Sequence, residues 1–490
     1  MPSLQSSRSV QSIESVPPVP LPLRLLYIAT AALLLTSTEP RTWAQAPAPP
    51  PAARSFPPPD AFRAFQDALA KLQQGDPDGA MAGLDRAIAL NPKYAMAYYH
   101  RGVLKNSLRH DADGAFEDFS QAIACEPRLP LPYVDRAQLR VDRGDMPGAL
   151  LDLDRALQIN PRMLPTYLSR ADLRRKTGDF RGALDDFDKA VALSPTDSAT
   201  YRLRGNVKYT MRDWDGAIAD HSKAIELDRK NTQAYNDRGN AFEAKGDLAS
   251  ALADFNKAVE LNATFDVAYN NRGYLRSLQD QWDAALQDYN RALELNPQNP
   301  FAFNNRGMAK SMLNDAAGAL QDYESALRLA PNYGGAFFNR ANLRYAAGQW
   351  APALEDYRKA AALDPVQCAY AHFYGYFAAA QCGAAAAAAE KDNLAAWLGR
   401  LSKEDAAGWS AQIAAFLLGQ ITAAQFEAGM MQGRKLDRGR ACEAFYYLGM
   451  KRLEAGDAKA AAASFRSSLA TGQKSYLEYR FSEIALQSAQ

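Results

Sequence analysis

Arg101, Arg136, Arg170, Arg204, Arg238, Arg272, Arg306 and Arg340 return at steps of 34 residues, with one step of 35. A regular file of guanidinium groups can build an anion groove, because each offers five donors and a permanent charge. A second file answers the first: Asp118, Asp152, Asp186, Asp220, Asp254, Asp288, Asp322 and Asp356 follow the arginines by 16 residues, or 17 in the first case. Upstream, where the pattern would place one more pair, stand Asp67 and Gly83, so the two files appear and vanish together. An ion pair inside each repeat produces that co-occurrence, since a guanidinium fork meets a carboxylate bidentately. The structural reading is therefore preferred to the anion groove.

Amides form a third file. Asp237, Asn271, Asn305 and Asn339 succeed one another at the same step, beside a parallel row of Asn236, Asn270 and Asn304. An asparagine side chain can donate to a backbone carbonyl and accept from a backbone N–H, so such a ladder could grip extended polypeptide without reading its sequence. Solvation of an inner surface is the competing reading, and both stand. Catalytic chemistry has little to work with. The four histidines, His100, His110, His221 and His372, have no cysteine or carboxylate at ligand spacing, and no nucleophile elbow, phosphate loop or zinc motif occurs. No enzyme, metal or cofactor is expected. Lys plus Arg number 56 against 55 Asp plus Glu, which leaves no electrostatic footprint for nucleic acid.

The elements that must position these files are legible from one rhythm, Tyr-x-x-Arg-Gly/Ala. It returns at Tyr98, Tyr133, Tyr167, Tyr201, Tyr235 and Tyr269, with Phe303 and Phe337 in the aromatic place afterwards. Each aromatic is followed by an alanine, a second alanine seven residues on, and usually a closing proline, as in Ala285, Ala292 and Pro297. A helix, turn, helix unit stated over and over at this period predicts a solenoid whose units bury apolar faces only against neighbours. The pattern resembles the tetratricopeptide repeat. That resemblance implies an all-α, right-handed superhelical solenoid of helix-turn-helix repeats that binds protein or peptide partners in its concave groove. Nine units fill 61–365, starting at Ala61, Ala95, Pro130, Leu164, Ser198, Thr232, Asp266, Pro300 and Gly334. The repeated Tyr and Phe and the tryptophans Trp214, Trp282 and Trp350 are expected to be packing groups. In units six to nine the amide row resembles the asparagine ladder of the repeat region in O-linked glucosaminyl transferases. The clamp that grips a C-terminal carboxylate in chaperone cofactors is not expected: Arg202 and Asn206 fit its first unit, but Asp237 and Val267 replace an Asn and a Lys.

Outside the repeats the composition changes. Arg8 and Arg24 precede an apolar run from Leu25 to Leu35, and small residues close the segment at Ala44 and Ala46. This is a secretory signal layout, and its apolar run is short of the ~20 residues that span a bilayer. Residues 1–44 are expected to be removed and 45–60 to form a Pro/Ala-rich linker, giving an exported, periplasmic or secreted protein with no stable membrane span. Cys125, Cys368, Cys382 and Cys442 are too few and too scattered for a disulfide scaffold. Cys368 and Cys382 fall near opposite ends of one helix and cannot join. A Cys382–Cys442 link stays open, with unpaired buried thiols the preferred reading.

Residues 366–441 read as an irregular helical region, and 442–490 as a terminal unit with a capping helix. From Gly408 to about Leu486 the Trp, Phe-x-Leu-Gly, Phe-Tyr-x-Leu-Gly and Tyr-x-Glu-Tyr-Arg elements are similar to the C-terminal region of NlpI-type bacterial envelope proteins. Those are tetratricopeptide adaptors that bring cell-wall hydrolases or a protease together and carry a lipid anchor. No cysteine here stands before Cys125 to receive one. The expectation is a non-catalytic scaffold in envelope or cell-wall maintenance. A cytoplasmic or self-assembling structural scaffold, with homo-oligomers, is the alternative. If the export reading holds, N-terminal sequencing of protein from a periplasmic fraction returns Gln45 or Pro47 as the first residue; an intact Met1 on cytoplasmic protein would refute it.

Overall fold

The computed structural model describes residues 57–363, 369–432, 435–474 and 476–488. The export segment, most of the linker, Pro365 and Cys368 lie outside them. The fold is an all-helical repeat solenoid, with one two-residue β ladder at Met431–Gln432 and Lys435–Leu436. Two compact units divide the described chain, 57–241 and 242–488. The division falls inside the helix Thr232–Lys245.

First helices begin at Pro59, Ala95, Pro130, Leu164, Ser198, Thr232, Asp266, Pro300 and Gly334, and second helices at Pro77, Ala112, Met146, Phe180, Trp214, Leu248, Trp282, Ala316 and Trp350. The turns between them repeat one chemistry. Asp76, Asp111, Asp145, Asp179, Asp213, Asp247 and Asp315 each cap a second helix by accepting from the backbone N–H three residues on. Such a carboxylate satisfies an orphan donor and complements the helix dipole. The residue before the cap has positive φ, as at Gly75, Gly144 and Gly178, but His110, Arg212, Asp280 and Asn314 also adopt it, at 53° to 64°. The extra residue of the second unit lies in its first helix, Ala95–Leu108, which has 14 residues against 13 in Pro130–Asp142, while the turn keeps its length.

Close approach of the two helices explains the small residue after each arginine. A Cβ at Gly102, Gly273 or Gly307 would come within 2.8 Å of the ring of Phe119, Tyr289 or Tyr323. In the fifth unit the opposing ring is His221, fully buried against Gly205.

Residues 369–399 form one more antiparallel pair, Ala369–Gln381 and Ala384–Gly399, without the Arg–Asp signature. After the short helices Trp409–Leu417 and Ala423–Ala428 comes a last pair, Arg438–Glu454 and Ala458–Ala470, which starts at the Asp437 cap rather than near Cys442. The terminal helix Leu477–Ser488 packs against both helices of that last pair. It folds back so that Arg480 reaches Ser311 and Phe481 meets Tyr345 and Tyr374. Its apolar residues join the large core of 242–488, and that burial drives the return.

Candidate functional site

Within seven repeats the arginine of the first helix holds the aspartate of the second through two bonds. Arg272 Nε and Nη2 donate to Asp288 Oδ2 and Oδ1 at 3.0 and 2.7 Å. The same fork joins Arg101 to Asp118, Arg136 to Asp152, Arg170 to Asp186, Arg204 to Asp220, Arg306 to Asp322 and Arg340 to Asp356. Arg238 and Asp254 belong to different compact units. Each aspartate is nearly fully buried; Asp288 is 3% exposed.

The arginine does more than the spacing suggested. Its remaining Nη1 reaches the second helix of the preceding unit, bonding Asp85 from Arg101, Ser120 from Arg136, Asp154 from Arg170, Asp188 from Arg204, Ser222 from Arg238, Asn256 from Arg272 and Asn290 from Arg306. Its planar face lies over the aromatic three residues earlier in all eight units, at 5.3 to 5.8 Å from the ring centroid. A cation over an aromatic face is attracted by the ring quadrupole. The Tyr-x-x-Arg rhythm is thus one packed device, and rings such as Tyr98, Tyr201 and Tyr269 are half-buried beneath a guanidinium.

A fourth file went unread in the sequence. Four residues after the arginine stand Lys105, Arg140, Arg174, Lys208, Arg276, Lys310 and Arg344, and each brings a second cation to the same aspartate, at 2.7 to 3.4 Å. The i, i+4 spacing on one helix face was the available signal.

The amide rows are placed differently from their expected position in a groove. Asn236, Asn270, Asn304 and Asn305 are buried, between successive first helices. Asn305 Nδ2 donates to Asn270 Oδ1 at 3.1 Å, and Asn339 Nδ2 to Asn304 Oδ1 at 2.9 Å. The same register carries Tyr99 Oη to Asp135 at 3.0 Å and Arg202 Nη1 to Asp237 at 3.1 Å. An amide committed to its neighbour has less capacity left for a peptide, and this is why the four buried asparagines do not form an open ladder. Asp237, Asn271 and Asn339 keep partial exposure.

His100 and His221 are buried, and burial pushes each down to about 4. His110 is exposed in its turn. Burial lowers His372 as well, and its ring lies 5.7 Å from that of Trp397. Among the described residues no three His, Cys, Asp or Glu side chains gather as a metal site would require. Cys125, Cys382 and Cys442 are free thiols, and of these only Cys442 is buried, which amends the expectation of buried thiols and closes the Cys382–Cys442 alternative. No described helix is long and apolar enough to cross a membrane.

Polar chemistry of another kind sits in the last helices. Glu443 and Glu478 are both buried. Tyr370 Oη and Trp409 Nε1 donate to Glu443, and Tyr374 Oη and Tyr447 Oη to Glu478 at 2.5 and 3.1 Å. Burial raises both carboxyls despite these donors, Glu443 to about 8, where the nearby Glu478 charge adds to the rise.

Family models described as tetratricopeptide repeat match residues 65–130 and 202–264, 267–299, and 288–321. Similar solved structures include a tetratricopeptide repeat protein from Parabacteroides merdae, at 18% identity and a TM-score of 0.42, covering 48% of this chain and 93% of its own. PilW, a type IV pilus biogenesis factor, is 22% identical with a TM-score of 0.39, covering 42% and 96%. YrrB, a tetratricopeptide repeat protein with an unusual peptide-binding site, is 22% identical with a TM-score of 0.32, covering 38% and 96%. No curated protein matches the chain.

Two outcomes test the polar interior. Asp288→Ala strands Arg272 and Arg276 together and is expected to cost about 3 to 5 kcal/mol, whereas Arg276→Met leaves the fork intact and costs about 0.5 to 1.5 kcal/mol; equal shifts in thermal unfolding would refute the fork's structural role. For Glu443 the folded value lies above the unfolded 4.5, so its contribution is full below 4.5 and is lost as pH rises through about 8. Glu443→Gln should flatten the fall in unfolding temperature across that window, and an unchanged slope would show that the carboxyl titrates normally.

Proposed function

We propose, for a chain built of tetratricopeptide repeats, a fold that generally mediates protein–protein interaction, that it is a non-catalytic adaptor holding polypeptide partners on the face of its first helices. The observation that carries this reading is the division of labour among its polar groups. Arginine, aspartate and the following cation are used between helices, while the opposite side of the first helices keeps Gln138, Pro165, Ser169 and Ala199 exposed in 57–241. Thr166, Tyr167, Ala171 and Leu173 of the same helix are buried, which at 3.6 residues per turn puts Pro165 and Ser169 on the far side. In 242–488 part of the equivalent face carries the terminal helix. Long extended partners therefore belong on 57–241. Of the residues proposed from sequence for partner binding, Asp237, Asn271 and Asn339 stay in the proposal, and the four buried asparagines leave it.

An exported, envelope or cell-wall setting is part of the proposal, supported by the residue pattern before Ala46 and the NlpI-like elements after Gly408. A crosslinking pull-down with the full chain tests the adaptor reading. Ser169→Trp with Gln138→Trp should reduce partner capture at least tenfold while leaving thermal unfolding in place. Full capture by that variant, with capture lost on substitution of the second-helix surface at Leu151, would place binding on the other side and overturn the reading.

A further inference from the structure

We propose that the terminal helix Leu477–Ser488 is a displaceable cover over part of the first helices Pro300–Met312 and Gly334–Ala346, latched by the neutral form of Glu478 and released when that carboxyl gives its proton to water. This goes beyond the adaptor reading and does not depend on it, because the cover opens and closes without a partner.

The helix touches both sides of a seam. Toward the repeats, Arg480 Nη2 donates to the Ser311 carbonyl at 2.8 Å, and the Phe481 ring lies 5.2 Å from that of Tyr345. Ser311 and Tyr345 each stand one residue before the end of their first helix, so the cover lies over that end of the face. Toward the later helices, Phe481 meets Tyr374 and Tyr446. Gly472, with a φ of 70°, stands between this helix and Ala458–Ala470 and supplies a pivot. Lifting the helix would bare Met308, Met312 and Leu343, which line the cleft beside it.

The latch is uneven. Glu478 is fully buried; its Oε1 accepts from Tyr374 Oη at 2.5 Å and from Tyr447 Oη at 3.1 Å, whereas Oε2 is sealed from water and bonds to no described residue. On the adjoining helix Glu443 accepts from Tyr370 Oη and Trp409 Nε1. All four donors are neutral, and no described Lys, Arg or His pairs with either carboxyl. The nearest cation on that helix, Arg440, lies over the Trp409 ring. Cys442, Tyr446 and Tyr476 also face the pair, and burial keeps each of them protonated at ordinary pH. Lys459 and Arg466 on Ala458–Ala470 and Glu483 on the cover itself are exposed.

An ionised carboxylate needs donors on both oxygens, so an oxygen sealed away without one disfavours charge. Held in place, Glu478 is neutral; lifted into water, it ionises. Burial accordingly raises its carboxyl above the ordinary 4.5. The latch is therefore full below 4.5 and weakens as pH rises toward the raised value, since opening then releases a proton.

Hydrogen exchange of the full chain, read by mass spectrometry, tests this without a partner. Residues 477–488 should exchange ahead of Arg438–Glu454, the helix they lie on. Their protection, corrected for the intrinsic rate, should fall about tenfold per pH unit from about pH 5.5 upward while Glu478 is neutral in place. Pro130–Asp142 reports any pH effect on the chain as a whole. Glu478→Gln keeps an acceptor for both tyrosines and has no proton to lose, so it should retain the protection and abolish the slope. Exchange of 477–488 in step with Arg438–Glu454 would show one cooperative block with no cover. Protection that ignores pH in the unaltered chain, or a slope retained in Glu478→Gln, would show that Glu478 is not the latch. Each of these results overturns the proposal, and the first two are read from the unaltered chain even if the variant does not fold.

Discussion

The fold depends on one guanidinium per repeat. In a typical unit it forks onto the buried aspartate of its own second helix, reaches the second helix of the preceding unit, and lies over the aromatic one turn back. Removing such charges from water opposes folding, and a buried pair adds little net stability unless every donor is matched. Here the matching is nearly complete, because a second cation fills the other side of the carboxylate. The consequence is geometric: three helices are held at one spacing, and repetition of that spacing makes a solenoid.

Where the device stops, other forces take over. The first unit lacks it and packs Phe65, Ala68 and Leu84 instead. From Ala369 onward the chain relies on aromatics and on two buried carboxyls held by tyrosine and tryptophan donors. Such an arrangement favours protonated carboxyls in this region.

The polar files also divide structure from recognition. Arginines and amides at helical spacing invite a reading as ligand groups, yet most are turned toward a neighbouring helix. In the proposed adaptor role, recognition falls to exposed side chains that do not repeat, such as Gln138 and Ser169. A surface of unlike rungs suits selection of a particular partner better than a uniform ladder, since discrimination needs groups that some sequences leave unmatched.

Local sequence determined the repeat period, the start of most helices and the partnership of arginine with aspartate, because each rests on contacts within about 34 residues and on the 3.6-residue turn. Asp at the cap, Gly or Ala at the close approach and the aromatic under the arginine all act within one unit or with its neighbour. The second cation four residues on was equally local and could have been read from its spacing. What only the tertiary structure decided involves longer reach. The asparagine rows turned inward because successive first helices bring position five of one unit beside position six of the next, a register fixed by packing rather than by spacing. The terminal helix packs on the last helix pair, and the bond of its Arg480 to Ser311, 169 residues away, follows from the single core that joins both stretches. No period announces a contact made once.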